Sequence, residues 1–447
     1  MVPKRVAAMT HLRIEDNTRV DQKKFHKVSR LAEKIANKTL GCLANEGILV
    51  FPEQIKEAQD ITREQMILES INHQYRSGNL MGFLGYEQER LLIGSRFSIS
   101  DKQDYFFQYL LERVVDCPNL LELYTDTNHE RRSVDWFSFM FPYYLKRAMR
   151  KGLYKTYLRN RYNDENVKGS IDIPRHIAEN TPFAGRIAYN RREFSYDNDL
   201  MELIRHTIEC IKRKPHGKKL LQKVKTEAAA VVGETASYAY YDRQRVVLAN
   251  KSTPLRHAYY REYRELQRLC IMILQQENRQ IGSGTNRVYG VLFDGAWLWE
   301  EYVNLLIGEQ FHHPMNKSRK DKQYLFAGNR GLIYPDFIGR AAENRVIADA
   351  KYKPFGNISG SDYQQLLAYM LRFESKKGYF LYPKSRNDKD DSVELKLNRG
   401  ATYENNVVPR ADVSVFKLGL KIPDDAGDYA DFAEKMKISE SLFKDSI

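Results

Sequence analysis

At 447 residues the chain is long enough for two or three domains, each with its own core, and its 71 Lys and Arg outnumber 58 Asp and Glu to leave a formal charge of +13. That balance favours polyanion partners, nucleic acid first and acidic membrane surfaces second. No apolar run reaches transmembrane length, no phosphate-binding G-x-x-x-x-G-K-[ST] occurs, and the four cysteines (Cys42, Cys117, Cys210, Cys270) show no zinc spacing, which excludes a membrane-spanning protein, a self-contained nucleotide motor and a zinc module.

In chain order, the N-terminus lacks an apolar signal-type run, and with scattered cysteines this leads us to expect a reduced, cytoplasmic protein. Residues 21–45 read as a helix carrying Leu31, Ile35 and Leu40. "GILVFP" and "NLMGFLGYEQERLLIGSRFSIS" read as strands, the second stretch folding back on itself through a short polar turn. "DYFFQYLLERVV" returns to helical spacing, and so does "VDWFSFMFPYYLKRAMRKGLYKTYLRNRY", broken or kinked at Pro142. "KGSIDIPRHI" and "FAGRIAYNRREFS" predict short strands and turns around Gly169 and Gly185. Two helices follow, "NDLMELIRHTIECIKRK", capped by Asn198 or Asp199, and "LRHAYYREYRELQRLCIMIL". "RQIGSGTNR" is the clearest punctuation, so domain boundaries fall at 1–130, 131–284 and 285–447. The fold class expected is α+β multidomain: a mixed β/α N-terminal domain, a helical middle segment and a C-terminal α/β domain.

The chemistry concentrates in "LIYPDFIGRAAENRVIADAKYK" (Leu332–Lys353). Alternation along "RVIADAKYK" puts Ile347, Asp349 and Lys351 on one face and Val346, Ala348, Ala350 and Tyr352 on the other, small and apolar enough to lie under a helix. Pro335 keeps Asp336 at a strand end or bulge. If the two strands pair through "RAAEN", Asp336 and Asp349 approach each other. Two close carboxylates need a cation or a proton between them, and Mg²⁺ is the natural partner for a hydrolytic site on phosphodiesters. A turn Asp followed by a surface Asp/Lys pair would produce the same letters.

Two flanking helices weigh against that bland reading. "FDGAWLWEEYVNLLIG" is capped by Asp294 and sets Glu300 beside an apolar stripe of Trp299, Val303 and Leu306. "GSDYQQLLAYMLRF" turns Tyr363, Leu366, Leu367 and Met370 inward and aligns Asp362, Gln365 and Tyr369 on a polar face. A helix with Glu, strand P-D, strand D-x-K and helix Q-x-x-x-Y is the layout of the PD-(D/E)xK nuclease core. "GNLMGFLGYEQERLLIGSRF", "YYLKRAMRKGLYKTYLRNRYNDENVKGSIDI" and "GRIAYNRREFSYDNDLMELIRHTI" then resemble, in order, successive blocks of McrC, the endonuclease-subunit family of the McrBC restriction systems. The similarity spans roughly residues 75 to 415 and includes "LWEEYV", "YPDF", "DAKYK" and "DYQQLLAY".

The resemblance implies Asp336 and Asp349 as metal ligands with Glu300 alongside, Lys351 as the catalytic lysine, Gln365 in support, and Mg²⁺ as cofactor. It also implies a hexameric AAA+ GTPase partner of the McrB type and double-stranded DNA as substrate. Arg96 in "IGSRF" stands where the family carries Lys, which bears on how the N-terminal domain engages that ring. "NKSRKDK" is a loop suited to DNA, through Lys317, Arg319, Lys320 and Lys322, with Lys353 beyond it. The stretch Lys146–Arg161, read as a basic helix with Tyr143, Tyr144, Tyr154 and Tyr157, suits phosphates, an acidic rim of the partner, or simple solvation. His312 and His313 read as a helix end, and Cys210 and Cys270 as core. Two rivals stay open: a stand-alone nuclease of the same core, and a non-cleaving subunit that only stimulates the motor.

Overall fold

The computed structural model describes residues 10–43, 48–51, 64–98, 103–115, 136–214, 217–280, 288–314, 322–384, 392–399 and 407–447. From its first hundred residues come strands β1 (Thr10–Glu15), β2 (Arg19–Asp21), β3 (Ile48–Phe51), β4 (Leu68–Ile71), β5 (Gln74–Ser77), β6 (Leu80–Tyr86) and β7 (Glu89–Gly94). β6 is buried along its whole length, the outcome expected of a continuous apolar run. It pairs antiparallel with β7, which pairs in parallel with β1, while β2, β5 and β4 form a small separate meander. The helix Tyr105–Val115 forms as expected, with the Asp104 carboxylate accepting from Phe107 N at 2.9 Å.

The helix expected over residues 21–45 is interrupted. A 3-10 segment, Gln22–Val28, leads into the helix Ser29–Ile35, and a short turn of helix, Leu40–Leu43, follows a break. At the break Asn37 takes a φ of +56°, donates its N–H to Leu68 O and accepts from Ser70 N through Oδ1. Asn tolerates the left-handed region and offers the backbone a local partner, so a sheet contact outcompetes helix propagation there.

Residues Asp135–Gly284 form one of two units. Its helices Trp136–Met149, Asp199–Lys212 and Arg261–Gln280 bury Tyr144, Leu145, Leu203, Tyr263, Leu266 and Cys270, and Asn198 caps the second by accepting from Met201 N. The first helix runs unbroken through Pro142 but ends at Met149, before Gly152 at φ +79°. The residues expected to continue it are instead β8 (Thr156–Asp164), paired antiparallel with β10 (Ile187–Ser195), with β9 (Ser170–Ile171) on the far edge of β10. The basic helix expected over Lys146–Arg161 is therefore the end of a helix, up to Met149, and the start of a strand, from Thr156. The Tyr157, Arg159, Arg161 alternation, exposed at every second residue, is the period-two signal that the helical reading passed over. "SIDIPRHI" likewise yields only a two-residue strand before the helix Ile173–Glu179, opened by Asp172 and Pro174.

The other unit combines Met1–Val134 with Thr285–Ile447, so the two terminal stretches that the sequence separates into domains cluster together. The reason is β11 (Tyr289–Asp294), which inserts between β6 and β3 and completes a five-stranded sheet in the order β1-β7-β6-β11-β3. Its Leu292 joins Ile14, Leu31, Leu84 and Ile93 in one core. Beyond it lie β12 (Phe311–His312), β13 (Gln323–Phe326), β14 (Arg330–Ile333), β15 (Phe337–Gly339), β16 (Val346–Ala350), β17 (Lys377–Lys384), β18 (Ser392–Arg399) and β19 (Val408–Lys421). β13 and β14 make a hairpin of their own, and the rest form a mixed sheet in the order β12-β15-β16-β17-β19-β18. β16, β17 and β19 run parallel, and the helix Gly360–Arg372 crosses from β16 to β17. The fold is thus mixed α+β throughout.

Candidate functional site

Local chemistry explains how the site strands sit. β15 and β16 pair antiparallel through Phe337↔Ala348 and Ile338↔Ile347, the hairpin through Arg340–Asn344 that the spacing allows. Asp336 immediately precedes β15, next to Pro335, and its Oδ2 accepts from Ala350 N at 2.9 Å. That bond pins Asp336 to the end of β16, where Asp349 projects. Both faces of β16 are covered, not only the alanine face. Ile347 packs into the core under the helix Gly360–Arg372 with Leu366 and Met370, and the helix Gly295–Ile307 lies against β16 as well.

Asp349 is 1 % exposed, and Lys351 Nζ lies 2.6 Å from its Oδ2, an ion pair without the angles of a hydrogen bond. Lys351 also donates to Gln365 Oε1 at 3.1 Å and sits 3.6 Å from Asp362. Gln365 in turn donates to the Tyr369 hydroxyl at 2.7 Å. The polar face read on this helix is therefore the wall of the site. Its N-terminus carries a capping box between Ser359 and Asp362, so Asp362 closes the helix and faces two lysines at once.

Electrostatics follow from burial. The Asp336 carboxyl is held well above the usual carboxylate range, first by desolvation and then by Glu300 and Asp349. Asp349 is raised as well, by desolvation that the Lys351 ammonium only partly offsets. Desolvation also works against the charge on Lys351, but Asp349 and Asp336 outweigh it and lift its pKa above the ordinary lysine value. Asp362 is lowered because the lysines Lys353 and Lys351 outweigh its burial. Burial, then the nearby Asp349, pushes the Tyr369 phenol up to about 12. Two close carboxyls resist ionising together, which favours a proton or a cation between them.

Glu300 lies one layer out. It is 7 % exposed on the helix Gly295–Ile307, capped by Asp294 through Ala296 N as expected, and its Oε1 is 3.7 Å from His313 Nε2. His313 Nδ1 lies 2.8 Å from Asp336 O, and its ring stacks on Phe337. The histidine pair is not a helix end. Phe311–His312 is the edge strand β12, paired with β15, and this pairing carries His313 to the site. No letter spacing could have found it. Among the described residues no three His, Cys, Asp or Glu side chains gather closely enough to hold a metal ion. The two aspartates by themselves fit a hard divalent cation: both are oxygen donors, and both are short of compensating positive charge.

Of the residues assigned to DNA, Lys317, Arg319 and Lys320 lie outside the described residues. Lys322 is exposed just before β13, whereas Lys353 is bonded to Asp362 at 2.9 and 3.1 Å. Cys210 and Cys270 are buried, as expected of core residues.

A family model described as McrBC 5-methylcytosine restriction system component matches residues 75–383, more than half of the chain. The chain belongs to the McrBC family. No curated protein matches it. Among solved structures it is similar to a chain in a refined half-complex from the tetradecameric assembly of Thermococcus gammatolerans McrB AAA+ hexamers with bound McrC. The TM-score is 0.52 at 14 % identity, over 98 % of this chain and 100 % of that one, which speaks for a shared fold. A chain of the cryo-EM structure of the Thermococcus gammatolerans McrBC complex is also similar, with a TM-score of 0.35, 13 % identity, and coverage of 67 % and 88 %. No described helix is long and apolar enough to cross a membrane.

Proposed function

We propose that this McrBC-family chain is the McrC-type, DNA-cutting subunit of a restriction complex, with a PD-(D/E)xK site that hydrolyses phosphodiesters of double-stranded DNA. The observation that carries the reading is the convergence of Asp336, Asp349 and Lys351 at the C-terminal end of β16, with both carboxyls short of positive charge. A surface Asp/Lys pair would have neither the burial nor the raised carboxyl pKa values. Asp336 and Asp349 would hold Mg²⁺. When bound, the ion would supply positive charge for the phosphodiester and acidify water.

The chain's own groups account for the remaining steps. Lys351, already charged and held by Gln365, stabilises the negative charge that develops on phosphorus. Glu300 and His313 keep Asp336 oriented from behind. Lys322, exposed just before β13, is the proposed phosphate contact. A hexameric AAA+ GTPase of the McrB type is the proposed partner. It supplies the motor that a chain without a phosphate-binding loop lacks, and the partner's reading domain selects the DNA.

The test is cleavage of a long duplex bearing 5-methylcytosine by the protein with its AAA+ partner, Mg²⁺ and GTP, each omitted in turn. Asp336→Asn, Asp349→Asn and Lys351→Met should each lower cutting by about a hundredfold or more while complex formation and GTPase stimulation persist. Cutting by Asp349→Asn at the parent rate would remove the site assignment. Cutting without the partner would make this a stand-alone nuclease, and strong GTPase stimulation beside intact DNA would make it a regulatory subunit.

A further inference from the structure

Lys351 reaches the site from a backbone that has left β16, held there by its N–H donating to Leu381 O at 2.8 Å. The next side chain, Tyr352, points the opposite way and is only 4 % exposed. Its socket is not made by the sheet that carries β16. The Tyr352 hydroxyl lies 2.6 Å from Ser95 Oγ and 3.3 Å from Met81 Sδ, and the Phe97 ring meets its ring edge-on at 5.0 Å. The Arg96 guanidinium covers the ring at 4.9 Å. On the remaining side a Cβ at Gly295 would fall 2.7 Å from the ring, so that glycine leaves the space Tyr352 fills.

The socket is itself braced by two buried carboxylates. Asp16 accepts from Arg96 N at 2.7 Å, Nε at 3.0 Å and Nη2 at 2.6 Å, and Arg96 Nη2 also donates to Asn79 Oδ1 at 2.6 Å. Asp104 accepts from Ser95 N at 2.6 Å and from Phe107 N. Arg96, at the family's lysine position, is thus committed inward, its side chain 10 % exposed. Met81 of β6 and Ser95, Arg96 and Phe97 of the turn after β7 therefore converge on one phenol, adjacent in sequence to the lysine of the site.

We propose that Tyr352 is a positioning residue: anchored by Ser95 and Arg96 of the N-terminal sheet, it sets the placement of Lys351 against Asp349, so that cutting depends on the geometry of that sheet. This rests on the nuclease reading above. A tyrosine that merely fills the core would contribute to stability alone. A positioning residue acts on turnover, because a displacement of about 1 Å at a reacting group costs on the order of a hundredfold.

Two conservative variants separate these cases, Tyr352→Phe, which keeps the ring and removes the hydroxyl, and Ser95→Ala, which removes its partner. Each is measured in the full chain with its AAA+ partner, Mg²⁺, GTP and methylated duplex. We expect kcat for cutting to fall by about tenfold or more with KM unchanged. The double variant should be no worse than either single one, since both remove one contact. A second readout needs no cutting: the rate at which a water-soluble succinimidyl ester acylates Lys351, read by peptide mass spectrometry against exposed Lys377. Lys351 should label severalfold faster in both variants while Lys377 is unchanged.

Unchanged Lys351 labelling in both variants overturns the proposal, as does a rise in KM with kcat intact or a loss of melting temperature alone. If Tyr352→Phe does not fold, Ser95→Ala decides by the same criteria. If the parent protein cuts no DNA, the nuclease reading fails, and the labelling still decides whether Tyr352 places Lys351.

Discussion

Asp336 and Asp349 share a problem that neither has in isolation: two desolvated carboxyls held close, with the Lys351 ammonium 2.6 Å from Asp349. Their raised pKa values have a sign that can be tested. Between the ordinary carboxylate range and the folded values, the native state binds more protons than the unfolded chain, so stability falls as pH rises through that window. In the presence of EDTA the melting temperature should therefore drop as pH rises above the ordinary carboxylate range. Asp336→Asn should flatten the drop and melt about 2 °C or more above the parent at the alkaline end. Added Mg²⁺ should restore the parent but not the variant. A parent curve that is flat in EDTA would mean that the pair ionises freely. At this scale the spacing P-D, D-x-K and Q-x-x-x-Y already singled out Asp336, Asp349, Lys351 and Gln365. His313 and Tyr352 were not legible, because their partners Glu300 and Ser95 come from other elements and no local period links them.

Among the elements, strand β6 shows how backbone geometry outranks composition. Gly82 takes a φ of +144°, and a Cβ there would fall 2.1 Å from Val291 O on β11. Only glycine serves where strands approach so closely in that conformation. Gly82→Ala should destabilise the protein by about 3 kcal/mol or more and collapse the soluble yield, whereas Leu80→Met on the same strand should cost less than about 1.5 kcal/mol. A melting curve of Gly82→Ala that matches the parent would refute this. The run "NLMGFLGY" announced a buried strand, and "GSDYQQLLAYMLRF" a helix with one polar face, because both carry their period in their own letters. The residues 156–162 did not, since a tyrosine- and arginine-rich stretch after a helix reads as more helix until its cross-strand partner Ile187–Ser195 is known.

Taken as a whole molecule, the chain returns on itself. Because β11 lies between β6 and β3, and the helix Gly295–Ile307 packs against Tyr105–Val115, residues 285–447 depend on residues 1–134. Expressed alone, 285–447 would expose Val291, Phe293, Leu298 and Trp299, all buried in the full chain, and should show no cooperative melt. The fragment 135–284 should melt cooperatively by itself. Circular dichroism of both fragments checks this, and a cooperative transition in isolated 285–447 would show that it folds without its N-terminal neighbours.

Composition, charge and local period determined by themselves that the chain is basic, mixed α+β, without an apolar run of membrane-crossing length, and punctuated near residue 284. They also placed two aspartates, a lysine and a glutamine at spacings that allow them to meet. Such signals survive in sequence because hydrophobic period and turn chemistry act over a few residues. Only the tertiary structure decided that the two terminal segments share one sheet, that β12 brings His313 behind Asp336, and that Tyr352 is gripped by Ser95 and Arg96. Those are pairings between residues tens to hundreds of positions apart. They are selected by the joint burial of many side chains, which no short window of sequence contains.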